Sequence, residues 1–410
     1  MQIILILAIP ALLGLGAVIV RSRKAFEILN ALGYLVVLTT SIALFKNTAS
    51  AGYIKLFDGF IYIDGLSAFF IFVISVVAFA AALYSIGYIK KDIAAGVVSE
   101  RKARIYYLLF NLFCLSMLAV PALNSLGMLW VAIEMTTLIS AFLVGFYNTK
   151  KSVEAAWKYI IICSVGIIFA LLGTILFYYA LSISGAASSL NWSDMVSAAG
   201  RMDVNLLKVA FIFILVGYGT KAGLAPMHTW KPDAYREAPS PAGVLMAVGM
   251  LNGALYCVLR IHLISKAALG PAFSGDLLLT LGLLSVLIAT PFILVQWNLK
   301  RLLAYSSIEH VGIALVGFGI GGPVGVFGGL FHMFNHALAK STAFYAAGMV
   351  VLRRGHKTIE RVTGLIRQMP LVGGSMLLAA LALAGMPPFG LFISEVLIVT
   401  EAYGQRPWVA

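Results

Sequence analysis

The sequence predicts an all-α polytopic membrane protein, and three observations support that prediction. Hydrophobic residues make up 61% of the 410-residue chain and charged residues only 11%, whereas a soluble domain carries roughly a quarter charged residues. Apolar stretches of about 20 residues, long enough to cross a bilayer as helix, recur along the whole chain. These runs are continuous rather than alternating, which excludes a transmembrane β-barrel.

Twelve spans follow, over residues 3–20, 27–45, 65–89, 106–121, 126–147, 153–181, 206–235, 241–260, 275–297, 302–320, 323–350 and 371–402. Met1 to Val20 lacks the basic start of a cleavable signal peptide and reads as the first span. Between the second and third spans, "NTASAGYIKLFDGFIYID" alternates weakly and predicts a short hairpin outside the lipid. Between the sixth and seventh, "SGAASSLNWSDMVSAAGRMD" predicts a surface helix with a serine or asparagine N-cap. A net charge of +13 would suggest a nucleic-acid partner in a soluble protein; here the placement of the charges matters more, and no nucleic acid is expected. Nineteen of the 29 Lys and Arg fall after spans 1, 3, 5, 7, 9 and 11, and six, including Arg260, fall on the opposite face. Positive loops mark the cytoplasmic side, so the N-terminus is expected outside.

The chain also contains a faint internal repeat. "IEMTTLISAFLVGF" in span 5 echoes "IEHVGIALVGFG" in span 10, and spans 7 and 12 are both interrupted by Gly and Pro. Two inverted five-helix sets with breaks at matching places are the signature of a midplane transport site. The chain divides accordingly into residues 1–105 with the outer hairpin, a first repeat over 106–265 and a second over 270–410. The second set has one helix fewer than the first. Pro226 marks the first break and Pro387 and Pro388 the second.

Ionisable residues inside the spans are the functional candidates. Glu134 lies in span 5, Lys158 in span 6, Lys221 in span 7, Glu309 and His310 in span 10, His332, His336 and Lys340 in span 11, and Glu395 in span 12. A charge at the centre of a membrane helix costs roughly 2.5–3.5 kcal/mol on insertion scales. Several such charges are tolerable only if they pair, are hydrated, or change protonation state, and a proton path does all three. An adjacent Glu134 and Lys221 would each favour the other's ionised form. A static ion pair fixing helix register is the alternative. His332, His336 and Lys340 recur four apart and so share one helix face, which suits a proton relay by groups that titrate near neutrality. A polar packing stripe is the alternative there. Two histidines four apart also suggest zinc, but no Glu stands between them as in HExxH and no third ligand is evident, so no metal centre is expected. Cys114, Cys163 and Cys257 are isolated in apolar segments and read as small core residues.

The stretches "YGTKAGLAPMHTWKPDAYREAPSPAGVLMA", "LKRLLAYSSIEHVG", "FHMFNHALAKS" and "GMPPFGLFISEVLI" resemble the antiporter-like subunits shared by respiratory complex I, Mrp-type cation/proton antiporters and membrane-bound [NiFe] hydrogenases. The resemblance runs from about residue 60 onward. Because of "SSIEH" and the acidic "ISEVLI", it is greatest to the large membrane subunit (component F) of hydrogenase-4 and formate hydrogenlyase-type complexes. It implies a proton-translocating subunit of a redox-driven complex, with sodium as an alternative coupling ion, in a prokaryotic cytoplasmic membrane. A sodium/proton antiporter subunit without a redox partner is the alternative.

The resemblance further implies a hydrophilic axis in which Glu134 pairs with Lys221 and Lys158 modulates the pair. Lys340 and its histidines would then lead to Glu395. No strand-turn-helix GxGxxG unit and no cysteine cluster is present. Catalytic redox residues and cofactors are therefore expected in partners, with nickel–iron and iron–sulfur centres in a peripheral redox arm beside other membrane subunits. Two departures stand out. Span 8 offers only Ala247 and Asn252 where relatives carry His or Lys, and the sequence ends at Ala410 where the family adds at least one more helix.

Overall fold

A computed structural model gives the fold of residues 1–185 and 189–409. Helices α1 (Gln2–Ile19) and α2 (Arg23–Ala51) lead into the hairpin of β1 (Tyr53–Leu56) and β2 (Ile61–Asp64). Then follow α3 (Gly65–Ala94), α4 (Glu100–Ala119), α5 (Leu126–Val144), α6 (Lys150–Ser182), the short α7 (Trp192–Ala198) and α8 (Val204–Ala222). After α9 (Lys231–Glu237), α10 (Ser240–Val244) continues through a π-helical stretch, Leu245–Met250, into α11 (Leu251–Leu269). The remainder is α12 (Pro271–Leu294), α13 (Leu299–Ile320), α14 (Gly322–Arg354), α15 (Leu365–Gln368), α16 (Pro370–Leu383) and α17 (Gly390–Gln405).

Local chemistry explains where several of these helices begin. Ser22, Asp64, Ser99, Thr149, Asp203 and Asn298 each stand at an N-cap and accept from a backbone N–H three residues on. This satisfies one of the four donors that a helix start leaves unpaired. Among the described residues, ten helices are long and apolar enough to cross a membrane. The expected span 11 is α14, whose polar stripe sets it apart from those ten. The expected span 12 is the broken pair α16 and α17.

The hairpin between the second and third spans is present, pairing Tyr53 with Asp64 and Leu56 with Ile61. The surface helix is α7, with Asn191 at its N-cap position. Span 7 is not one helix. It stops at Ala222, Gly223 turns the chain at φ 75°, the Ala225–Pro226 bond is cis, and α9 resumes at Lys231. The second break parallels it, with a cis Pro387–Pro388 bond between α16 and α17. The serine-rich piece at 186–188 of the surface segment lies outside the described residues.

The helices differ sharply in burial. Residues 240–262 are buried without a break and α13 nearly so, while α1, α2 and α12 turn most of their surface outward. Small residues bring the neighbours close, as expected where lipid tails compete with side-chain packing. A Cβ on Gly217 would stand 2.5 Å from the Ala170 nitrogen, and one on Gly319 would stand 2.6 Å from that of Leu279. The α6–α8 and α12–α13 contacts therefore depend on backbone-to-backbone approach.

Arg260 is not a loop residue, as its place at the end of span 8 had suggested. It lies inside α11, buried, and grips Asp64 with two hydrogen bonds of 2.6 and 2.7 Å. It also donates to Ser67 and Tyr256, each at 2.7 Å, and its guanidinium lies 4.2 Å from the Trp192 ring. One side chain thereby ties the hairpin, α3 and α7 to the buried α11.

Candidate functional site

Polar side chains inside the bundle gather in two groups, one on either side of the buried α10–α11 rod. The first is built on α5, α6 and α8. Lys221, in the last turn of α8 before the break, is completely buried. Its ammonium donates to Thr137 Oγ1 at 2.8 Å and to Tyr159 OH at 2.6 Å, and lies 4.9 Å from the Tyr159 ring centre. The Tyr159 hydroxyl also meets Ser140 Oγ at 2.7 Å and Met250 Sδ at 3.2 Å, where the π-helical stretch ends.

Glu134 sits on α5 less than one turn from Thr137. Its Oε1 accepts from Ser164 at 3.3 Å, and its buried Oε2 has no hydrogen-bond partner. Among the described residues, Glu134 and Lys221 form no direct ion pair; hydroxyl groups replace the expected contact.

Lys158 departs from expectation more strongly. It stays out of the buried group, is substantially exposed, and bonds Asp233 at 2.6 Å, which also accepts from Arg301 at 2.8 Å. The 33 residues of α6, at 1.5 Å each, make about 50 Å of helix, well beyond a hydrocarbon core of roughly 30 Å, and Lys158, in the third turn, lies toward one end of it and faces Asp233. With Lys151, Glu154, Arg236 and Glu237, these residues line a cavity of about 260 Å³.

The second group is built on α13, α14 and α17. Lys340 is completely buried and donates to Ser306 Oγ at 2.8 Å and the Leu303 carbonyl at 3.3 Å. One turn back, His336 places its ring 5.2 Å from that of His310. His310 Nδ1 stands 3.0 Å from His332 Nε2, and His332 Nδ1 stands 2.9 Å from Ser394 Oγ. Ser394 spends its own proton on the Leu391 carbonyl at 2.7 Å. Its oxygen is thus left to accept from His332 Nδ1–H, which leaves the Nε2 lone pair facing His310. Glu395, the next residue on α17, is half-buried and reaches the same spot: one ligand atom from each of His310, His332 and Glu395 lies within 4.8 Å of the others. The three are far apart in sequence, and only the helix packing brings them together.

The breaks position these groups. Gly223 and Gly385 both have φ above 60°, where glycine is favoured. A Cβ on Gly223 would meet the Lys231 side chain, and one on Gly385 would meet the Glu395 carboxylate. The two Pro-containing turns thus leave room for an ionisable side chain beside each interrupted helix. Sequence reasoning assigned Lys231 and Lys300 to cytoplasmic loops, yet both are buried; they donate to the Ala222 and Ala238 carbonyls at 2.8 and 3.0 Å. It also missed the hydroxyl partners Thr137, Ser140, Tyr159, Ser306 and Ser394. In the gap at span 8, Asn252 is buried with both side-chain polar atoms unpartnered, immediately after the π-helical stretch. Such stretches occur frequently at functional sites, and a buried amide in this position is a natural host for water.

Comparison with known proteins agrees with this architecture. A family model described as "NADH:quinone oxidoreductase/Mrp antiporter, TM" matches residues 123–410, and one described as "NADH-Ubiquinone oxidoreductase (complex I), chain 5 N-terminus" matches residues 57–95. The chain is 39% identical over 353 residues to the hydrogenase-4 component F homolog of Methylacidiphilum infernorum, covering 86% of this chain and 74% of that protein. It is 32% identical over 345 residues to hydrogenase-4 component B of Escherichia coli, covering 81% of this chain but only 49% of the relative. Among solved structures, the membrane-bound sulfane sulfur reductase, an archaeal respiratory membrane complex, has a chain that superposes with a TM-score of 0.88 at 29% identity. That match covers 99% of this chain and 82% of the other. With its broken helices, its buried lysines and a family match over most of its length, this chain belongs to the antiporter-like membrane subunits of the NADH:quinone oxidoreductase/Mrp antiporter family.

Proposed function

We propose that the chain carries protons across a prokaryotic cytoplasmic membrane as one subunit of a redox-driven complex of the energy-converting hydrogenase type. The observation that carries this reading is the company its buried lysines keep. A lysine that only fixes helix register is best served by a carboxylate. Lys221 and Lys340 are instead held by hydroxyls and a backbone carbonyl. A hydroxyl can accept from an ammonium or donate to a neutral amine, so Thr137, Tyr159 and Ser306 suit both protonation states without repacking. The histidine wire works in the same way. A proton arriving at His310 Nδ1 can pass to His332 Nε2, while His332 Nδ1–H is released toward Glu395 once the Ser394 hydroxyl turns from the Leu391 carbonyl to pass its own proton on.

The redox step belongs to partner subunits in this proposal, with nickel–iron and iron–sulfur centres in a peripheral arm. Its energy reaches this chain as a change in charge balance at one end of the axis. Moving one charge against 100 mV costs about 2.3 kcal/mol, a size that modest rearrangements of these polar contacts can supply. The Lys- and Arg-rich loops support an N-terminus on the outer side.

Glu134→Gln in the assembled complex tests the reading. Loss of proton uptake into proteoliposomes during electron transfer, with assembly intact, is the expected result. Unaltered uptake would leave these charges a packing role. Sodium-for-proton exchange driven by an ion gradient without an electron donor would instead place the chain among stand-alone antiporters.

A further inference from the structure

We infer that His310, His332 and Glu395 form a binding site for one divalent transition-metal cation of the zinc class. Two imidazole nitrogens and one carboxylate oxygen are a donor set that zinc and cobalt favour, and bonds of about 2.0–2.2 Å are usual for it. Tetrahedral bonds of that length put ligand atoms roughly 3.3–3.5 Å apart. His310 Nδ1 and His332 Nε2 already stand 3.0 Å apart. One ligand atom from each of the three lies within 4.8 Å of the others, so a movement of the Glu395 side chain closes the site.

The surroundings favour a metal as well. A ligating histidine normally donates its second ring N–H to a fixed acceptor, which sets the tautomer and aims the lone pair. His332 does this through Ser394, itself pinned to the Leu391 carbonyl. His310 offers Nδ1 in the tautomer that keeps its proton on Nε2, which is buried without a hydrogen-bond partner. Glu395 adds a carboxylate oxygen to two imidazole nitrogens. His336 lies on the same helix face as His332 but is not part of the set. Three protein ligands leave a fourth position open, the arrangement of an exchangeable site rather than a closed structural one.

Occupancy would tie up the two nitrogens between which the proposed wire passes its proton. The metal would therefore close the second half of the axis reversibly. That consequence rests on the proton reading; the binding does not.

The test uses Co2+ as a visible probe on the purified full chain in detergent. One equivalent of Co2+ should give the d–d absorption of a four-coordinate N2O site, and Zn2+ should bleach it. His332→Gln and Glu395→Gln should each weaken binding at least tenfold, and Ser394→Ala should weaken it by about 10- to 100-fold, while His336→Gln binds as the parent does. Glu395 is half-buried on α17, so its variant keeps the test valid if the buried histidine variants fail to fold. Absence of a cobalt spectrum, binding that survives Glu395→Gln, or equal competition by Mg2+ would overturn the site. If cobalt binds as described yet zinc leaves proton uptake by the assembled complex unchanged, the metal site stands and the histidine wire is refuted.

Discussion

Replacing Tyr159 by phenylalanine removes a single oxygen from the centre of the first polar group. That oxygen receives a 2.6 Å hydrogen bond from Lys221 and contacts Ser140 and Met250. Neither main partner is orphaned by the change. Lys221 keeps its 2.8 Å bond to Thr137 and its place over the ring, and Ser140 keeps the carbonyl of Thr136 at 2.5 Å. The fold should lose no more than about 1 kcal/mol, the net worth of an ordinary hydrogen bond. The charged state of Lys221 loses more. A hydrogen bond to an ionised group is worth about 1.5–3 kcal/mol, and each 1.36 kcal/mol is roughly tenfold in rate. If that state is formed on the way to the rate-limiting transfer, proton uptake should fall by about 10- to 100-fold while electron transfer by the partner subunits is still measurable. The assay is dye-reported proton uptake into proteoliposomes holding the assembled complex, with a thermal unfolding scan alongside. Uptake within twofold of the parent, at equal assembly, would refute the reasoning.

Two further outcomes follow from the structure. Lys158→Ala removes a half-exposed pair with Asp233 outside the buried group; stability should change by less than about 1 kcal/mol, and proton uptake should stay within threefold of the parent in the same assay. Asp64→Asn should cost about 3 kcal/mol at neutral pH in an unfolding scan, because it strips the carboxylate from the buried Arg260 guanidinium. Burial raises the Asp64 carboxyl pKa, but hydrogen bonds and charge from Arg260, with the Ser67 N–H, bring it below the ordinary value. That contribution is therefore fully present above the unfolded carboxyl pKa, near 3.9. It is lost as pH falls through the lower folded value, so parent and variant should converge only in strong acid.

The sequence made the membrane-spanning periodicity, the β hairpin and both helix breaks legible, because each depends on local chemistry: apolar runs, alternation, and nearby Gly and Pro. The ionisable residues were visible for a simple reason: a charge in an apolar run has few causes. Their partners were not. Serine, threonine and tyrosine occur throughout the spans, and nothing local marks Tyr159 as the hydroxyl that meets Lys221. Lys158 read as buried because apolar residues surround it in sequence; its outward place and its pairing with Asp233 are set by how α6 packs. Arg260 and Lys231 show the converse, since proximity to a predicted span end hid how deeply the packing encloses them. The meeting of His310, His332 and Glu395 needs three helices to be placed, which no spacing along the chain encodes. Nor does any local signal announce the π-helical stretch beside Asn252.

The most direct measurement is the number of protons moved per electron pair in complexes carrying Lys221→Met or Lys340→Met. Methionine preserves most of the side-chain volume while removing the only group able to carry the proton. Assembled complexes whose proton yield drops to the leak level in both variants are the result this account expects. A yield equal to the parent's in either variant would contradict it.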